Sequence, residues 1–303
     1  MFKASDHQEY GDFVLQELLG QRKSMDLYRA TQQSLKRFVQ FKIFSLDGIS
    51  EQPEQLVQEF QDYIGSVLGL EHMHLQPIFG YGVIDDRHVY IAGRFMSGSL
   101  NGLLHTGALP LKRALDMALQ IVMAVSYIHS QGFIHSSLSP HNVYLDESGS
   151  AYLDDLELSL IVQKATSLSE LKSLLDEPYY TSTEQLQFRA VDFRSEVYSF
   201  GAILYHMLTG SPPFCDCDGS FETVLERKLL NQVVRPRQLK PQIPASLEAT
   251  ILQTLRANPD ERFSDINLLE KMLQQEFNAL DSNRSPVSDN VRSFFDRFRH
   301  ARR

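Results

Sequence analysis

The hydrophobic and polar positions change rhythm once along the chain. Phe13 to Leu19 is apolar-rich and stops at Gly20, and Leu27 to Thr31 reads as its return strand. Arg37 to Phe44 alternates: Val39, Phe41 and Ile43 fall on one face, and Phe38, Gln40, Lys42 and Phe44 on the other. That is the two-residue period of a strand. After Pro53, the residues Phe60, Ile64, Val67 and Leu70 recur at helical spacing and predict a helix with that stripe buried. Two more strands are expected, near Leu75 to Val83 and His88 to Ala92, with Asp85-Asp86 as the turn between them.

Past Ser97-Gly98-Ser99 the period becomes helical. Leu115, Leu119, Val122, Val125 and Ile128 mark a long helix over Leu111 to Ser130. A loop and short strands fill 132 to 158. A second long apolar helix is expected over Ala190 to Thr209, broken by Pro212-Pro213, with further helices around 221–230, 246–256 and 265–279. The fold class is therefore α+β in two lobes: a small β-rich lobe over 1–95 and a larger, mainly helical lobe over 96–280, hinged at Arg94 to Gly98.

The tail, residues 281–303, stands apart. It carries six Arg and three Asp. Val291, Phe294, Phe295 and Phe298 share one helical face, flanked by Arg292, Arg297, Arg299, Arg302 and Arg303. This is a basic amphipathic helix, which either packs its Phe face on the body or docks on an anionic membrane surface or a partner.

Composition narrows the classes. The 303 residues are 43% hydrophobic and 22% charged, ordinary for a soluble globular chain. The net charge of −9 argues against a nucleic-acid partner held by bulk attraction to phosphate. Two cysteines, Cys215 and Cys217, make no disulfide framework and suit a reducing, cytoplasmic setting. As a soft-metal site the pair is too small. His72 and His74 have no further ligand cluster beside them in sequence. No apolar run approaches the roughly 20 residues of a membrane span, and Met1 to Asp6 lacks a signal peptide's apolar stretch. Any membrane association is expected through the tail.

The chemistry-bearing residues lie in ordered landmarks. Tyr127-Ile128-His129-Ser130-Gln131-Gly132-Phe133-Ile134-His135-Ser136-Ser137-Leu138-Ser139-Pro140-His141-Asn142-Val143-Tyr144-Leu145 resembles the catalytic-loop region of protein kinases, whose pattern is H-R-D-L-K-P-E-N. Lys42, in Val39-Gln40-Phe41-Lys42, is similar to the V-A-I-K lysine. Asp155-Leu156-Glu157 stands in place of D-F-G, and Ser182-Thr183-Glu184 in place of A-P-E. Tyr198-Ser199-Phe200-Gly201 through Phe214 resembles the central large-lobe helix and its exit, and Asn258-Pro259-Asp260-Glu261-Arg262 the segment whose Arg pairs with the A-P-E glutamate. The resemblance covers about residues 10–278, has a Ser/Thr-kinase flavour, and implies a Glu184–Arg262 ion pair.

The resemblance also shows where the chain departs from a working transferase. In the family, phosphoryl transfer rests on positioning and charge neutralisation. The vestigial nucleotide-binding positions are Gly20, Leu27, Gln40, Lys42, Phe95, Met96 and Tyr144. Only the first glycine of the phosphate loop remains; Arg22 and Met25 take the other two places. Gln40 and Tyr144 add bulk above and below the adenine slot, while Gly93 is expected to open space behind it. Tyr63 stands where a helix glutamate pairs the lysine, and Glu59 and Asp62 are out of register.

Ser137 occupies the catalytic-base position, Ser136 that of the preceding Arg, and Ser139 that of the loop Lys. A hydroxyl cannot take up a proton near neutral pH, and general-base assistance contributes roughly 10²–10⁴-fold. Without the Arg, a phosphate on Thr166, Ser167, Ser169 or Ser173 has lost its usual reader. Asn142 and Asp155 match the two metal ligands, with Asp154 beside them; otherwise they are turn and loop residues. His135 is expected to pack in the core and bond backbone, and Glu196 to hold the catalytic loop.

Three readings follow. The first is a pseudokinase, a regulatory or scaffolding module with protein partners, for which ATP and Mg²⁺ are doubtful cofactors. The second is an atypical, low-activity ATP-dependent Ser/Thr kinase that keeps Lys42, Asn142 and Asp155. The third is a kinase-like small-molecule phosphotransferase, ranked last because such enzymes keep the aspartate that Ser137 replaces.

Overall fold

Strand propensity and alternation build the small lobe first. The computed structural model describes residues 8–22, 24–46, 53–156, 159–164, 167–174, 178–215 and 218–282. The 1–7 segment, Glu157, Thr166, Cys217 and the tail beyond 282 lie outside the described residues. Strands β1 (Glu9–Tyr10), β2 (Phe13–Gln21), β3 (Met25–Gln32), β4 (Arg37–Ser45), β5 (Ile78–Val83) and β6 (His88–Arg94) form one antiparallel sheet in the order β1-β2-β3-β4-β6-β5. The alternation of β4 has its expected result. Val39, Phe41 and Ile43 pack into an outer cluster with Phe13, Leu15 and Tyr28, where Phe41 stacks on Tyr90 with ring centroids 4.8 Å apart. Phe44, on the opposite face, packs against Phe60 of helix α1 (Pro53–Val67). Phe60, Ile64 and Val67 are buried and Leu70 packs on the same core.

The strand expected from Leu75 begins instead at Ile78. Leu75 makes a single parallel bridge to Leu153, and the Gln76 N–H bonds the Leu153 carbonyl at 2.8 Å, so this stretch is tied to the large lobe. Pro77, with no N–H to donate, separates the two pairings.

The large lobe opens with β7 (Gly98–Ser99) and α2 (Leu100–Leu104), followed by α3 (Leu111–Ser130). A 3₁₀ turn at Pro140–Asn142 leads into β8 (Val143–Leu145), and β9 (Ala151–Leu153) completes a three-stranded sheet, β7-β8-β9. Short helices α4 (Ser159–Lys164), α5 (Leu168–Leu174) and α6 (Thr183–Leu186) follow. Then come α7 (Phe193–Thr209), α8 (Phe221–Leu229), α9 (Pro236–Leu239), α10 (Ala245–Thr254) and α11 (Ile266–Ser282). Helix α7 starts three residues later than its apolar pattern because Asp192 caps it, accepting the Arg194 N–H. It is buried almost all round. It meets α10 so closely that a Cβ at Gly201 would lie 1.8 Å from Thr254 Oγ1, which requires glycine there.

The Glu184–Arg262 pair fastens the helical lobe. Arg262 Nη1 and Nη2 donate to the two Glu184 carboxylate oxygens at 2.7 and 2.8 Å, both side chains being buried. Its remaining N–H groups reach the carbonyls of Arg194, Arg256 and Ala257, so the buried fork is satisfied throughout. Burial pushes the Glu184 carboxyl up, but the Arg262 bonds and charge outweigh it and bring it down to about 2.

Glu184 therefore contributes stability that is whole above its ordinary pKa of 4.5 and lost as pH falls toward 2. His206 adds an earlier stage. Burial and the neighbouring His105 lower it from 6.5 to about 4, so the unfolded chain binds the extra proton first and stability falls between those values. Acid unfolding monitored by circular dichroism should show both stages. His206→Asn should remove the first and Glu184→Gln flatten the second. Arg262→Met, which strands the carboxylate, should cost about 3–5 kcal/mol.

Candidate active site

The cleft between the lobes is built from the end of β2, the middle of β4, the loop after α3, the start of β8 and the segment after β9. His135, in the loop after α3, is fully buried, and its Nε2 donates to the Asp154 carbonyl at 2.7 Å. That bond fixes the tautomer, leaving Nδ1 as the acceptor of the Ser137 hydroxyl at 3.2 Å. Ser137 in turn accepts from Asn142 Nδ2 at 3.2 Å, and Ser139 donates to Asn142 Oδ1 at 2.9 Å. The base position thus belongs to a chain of hydroxyl, imidazole and amide groups with no carboxylate in it.

The loop is held from below, as expected, by Glu196. One carboxylate oxygen accepts the Ser136 N–H at 2.9 Å and the other bonds His129. Ser136 adopts a left-handed φ of +63°, which these contacts sustain. Gln185 Nε2 donates to its carbonyl at 2.6 Å, and Gln163 of α4 donates to its hydroxyl at 2.8 Å.

Lys42 is 1% exposed and donates to Asp154 Oδ1 at 2.8 Å and Asp155 Oδ1 at 2.7 Å. Tyr63 is engaged elsewhere, on Ser159 Oγ at 2.9 Å and the Leu156 carbonyl at 3.4 Å. It couples α1 to α4 instead of to the lysine. Glu59 and Asp62 each accept from a glutamine one turn earlier, Gln55 and Gln58. The lysine's charge is thus balanced by the Asp pair. Burial raises the Asp154 carboxyl further than Lys42 lowers it. For Asp155 burial is again the largest influence and pushes up, but Lys42 and Arg22 together outweigh it and hold the carboxyl below the usual range.

Arg22 crosses the cleft. Its Nη1 lies 3.3 Å from Asp155 Oδ2, and its Nη2 donates to the His141 carbonyl and, at 3.1 Å, to the Tyr144 hydroxyl. Gln40, 2% exposed, donates to Asp154 Oδ2 at 3.3 Å, and Tyr144 is 4% exposed. Leu27 is paired with Lys42 across β3 and β4, Gly20 with Leu27 across β2 and β3. At the hinge Phe95 is exposed and Met96 buried. A cavity of about 40 Å³ remains beyond Arg22, bordered by Ser137, Ser139, Asn142 and Tyr180.

The space expected behind Gly93 is not there. A Cβ on Gly93 would meet the Pro77 carbonyl at 3.1 Å and Gln76 Nε2 at 3.4 Å. The Gln76 side chain and the Pro77 carbonyl fill the room that the missing side chain leaves. His72 and His74 lie with ring centroids 5.8 Å apart and planes tilted by 57°, and no group of three or more potential metal ligands occurs among the described residues. Cys215 is exposed.

The positions matched to ATP and Mg²⁺ are occupied by contacts within the chain. Gln40 and Tyr144 are covered by neighbouring chain where a flat ring would lie against them. Both Asp155 oxygens already bind cations of the chain, and Asn142 Oδ1 accepts from Ser139. Sequence reasoning noted Arg22 and Asp154 but missed what each binds; two added charges of opposite sign in one degenerate site were the available signal. It also missed Lys228 of α8. This fully buried ammonium donates to the Pro178, Tyr179 and Thr181 carbonyls and lies 4.6 Å from the Tyr198 ring centroid. Burial, then the Arg262 charge, puts its pKa well below the ordinary value.

A two-lobed architecture with a buried cleft lysine facing the segment after β9 and a His-anchored loop after α3 is the arrangement of the protein kinase fold. A profile of the protein kinase domain matches residues 13–278, and the chain belongs to that family. It is 30% identical over 256 residues to the DNA damage-responsive serine/threonine-protein kinase RqkA of Deinococcus radiodurans, covering 83% of this chain and 37% of that protein. It is 26% identical over 277 residues to the serine/threonine-protein kinase PrkC of Bacillus subtilis, covering 89% and 41%. The chain thus spans about two fifths of the length of these curated relatives. Among solved structures, the kinase domain of Mycobacterium tuberculosis PknI superposes with a TM-score of 0.69 at 17% identity, covering 90% of this chain and 99% of that one.

Since the room behind Gly93 is filled, Gly93→Val should destabilise by about 1–3 kcal/mol through overpacking. Chemical denaturation of the variant checks this; unchanged stability would mean an open back pocket.

Proposed function

We propose that this chain is a catalytically impaired protein-kinase-fold module that works by regulating or scaffolding protein partners, with at most weak nucleotide binding. The observation that carries the reading is Ser137. It stands at the base position in a chain of hydroxyl, imidazole and amide groups, bonded to His135 and accepting from Asn142. Nothing in that chain offers the carboxylate that would draw a proton from an acceptor hydroxyl. The filled cleft points the same way, because Lys42, the phosphate-contacting lysine of the family pattern, is engaged by Asp154 and Asp155.

A second reading has a specific observation behind it. The relatives are named serine/threonine-protein kinases, and the family uses ATP and Mg²⁺. The names favour an ATP-dependent Ser/Thr kinase, and Lys42 and Asp155 remain in place for it. Because the transition state is loose, transfer can survive loss of the base at a reduced rate.

Incorporation of labelled γ-phosphate into the chain and into a generic acceptor protein separates the two. The impaired reading expects the same incorporation in the wild type and in Lys42→Met. Incorporation that vanishes in Lys42→Met would establish the low-activity kinase instead. The basic tail over 281–303 is proposed as an anchor on anionic membrane or a partner. Co-sedimentation with phosphatidylserine vesicles should fall with salt and with deletion of the tail; retention through both would refute the membrane anchor.

A further inference from the structure

We propose that Arg22 holds the place of a divalent cation on Asp155, so that this cleft takes a nucleotide polyphosphate, if any, without metal. The inference deepens the impaired reading above and rests on it. It starts from how Asp155 is used. One carboxylate oxygen binds Lys42 at 2.7 Å and the other faces Arg22 at 3.3 Å. Two carboxylates, Asp154 and Asp155, thereby meet two cations of the chain, and the buried cluster is balanced before any ligand arrives. A divalent cation would bring two further positive charges beside Lys42 and Arg22 in a site screened from water, where like charges repel strongly.

Arg22 is also anchored, unlike an ordinary surface arginine. Its other nitrogen bridges the His141 carbonyl and the Tyr144 hydroxyl, and only 20% of its side chain is exposed. The guanidinium is thus fixed at three points on the large lobe while its backbone belongs to the small one. The second ligand a metal would need is engaged as well, since Asn142 Oδ1 accepts the Ser139 hydroxyl. In the family pattern a glycine at the place of Arg22 lets backbone N–H groups approach phosphate. Here the same place supplies a fixed fork, and a planar guanidinium binds phosphate oxygens in pairs. Arg22 and Lys42 together give the two aspartates the positive charge that a metal supplies elsewhere.

The test is calorimetric titration of the full chain and of Arg22→Gly with ATP, in EDTA, in Mg²⁺ and in Mn²⁺. Tyr144→Phe, which removes one anchor, is a milder variant, and melting curves establish that each is folded. The expected wild-type result is the same affinity in EDTA as in metal, undetectable in both included. Arg22→Gly should then bind at least about tenfold more tightly in Mg²⁺ or Mn²⁺ than in EDTA, and Tyr144→Phe should fall between. Wild-type binding strengthened about tenfold or more by metal would overturn the proposal. So would an Arg22→Gly variant with no metal dependence, including one that binds nothing. Lys42-dependent phosphoryl transfer by a wild type whose binding ignores metal would sink the impaired reading and leave the role of Arg22 standing.

Discussion

The buried contact of Lys42 with Asp154 and Asp155 is where the two lobes meet electrically. A lysine in the middle of a strand needs a counter-charge, because an unpaired ammonium in the interior costs several kcal/mol. In the family pattern that charge comes from a helix glutamate, but Tyr63 stands there and bonds Ser159 instead. The aspartates after β9 take up the lysine, and much of the cleft follows. Gln40 reaches Asp154, Arg22 completes Asp155, and Tyr144 is covered by the arginine it binds. A nucleotide would have to compete with this set of internal bonds.

Around that cluster, neutral groups do what charged ones do in the family pattern. Gln163 and Gln185 bind Ser136, where an arginine would wait for a phosphate. Lys228 gathers three carbonyls of the segment before α6 from beneath, out of solvent. Ser136 and the segment before α6 are thus held by contacts that owe nothing to phosphorylation. A segment ordered in this way suits steady binding better than switching, as the proposed regulatory or scaffolding role would require.

Much of the fold was legible because its signals are local. The alternation of Arg37 to Phe44, the stripe Phe60-Ile64-Val67 and the long apolar helices all depend on neighbours within a few positions. Glu184 with Arg262, and Glu196 beneath the loop, were legible for a different reason: each sits in a segment resembling a protein-kinase landmark, and the resemblance implies its partner. The contacts of Arg22 were not. They join residues more than a hundred positions apart through the closure of a loop, and nothing local dictates which way a long side chain turns. Gly93 misled in the opposite direction. A missing side chain is visible in sequence, but the Gln76 amide that fills its room is not. The strand that was expected from Leu75 failed because Pro77 divides a segment whose two halves pair with different lobes.

The central claim is that the chain's own cations occupy the carboxylates of the cleft. Its most direct test is a crystal structure of the full chain grown with millimolar Mn²⁺ and a non-hydrolysable ATP analogue, with anomalous data collected at the manganese edge. The account predicts no anomalous peak beside Asp155, and density for Arg22 still joined to Asp155 and Tyr144. A manganese peak bridging Asp155 and Asn142, with Arg22 swung out of the cleft, would contradict it.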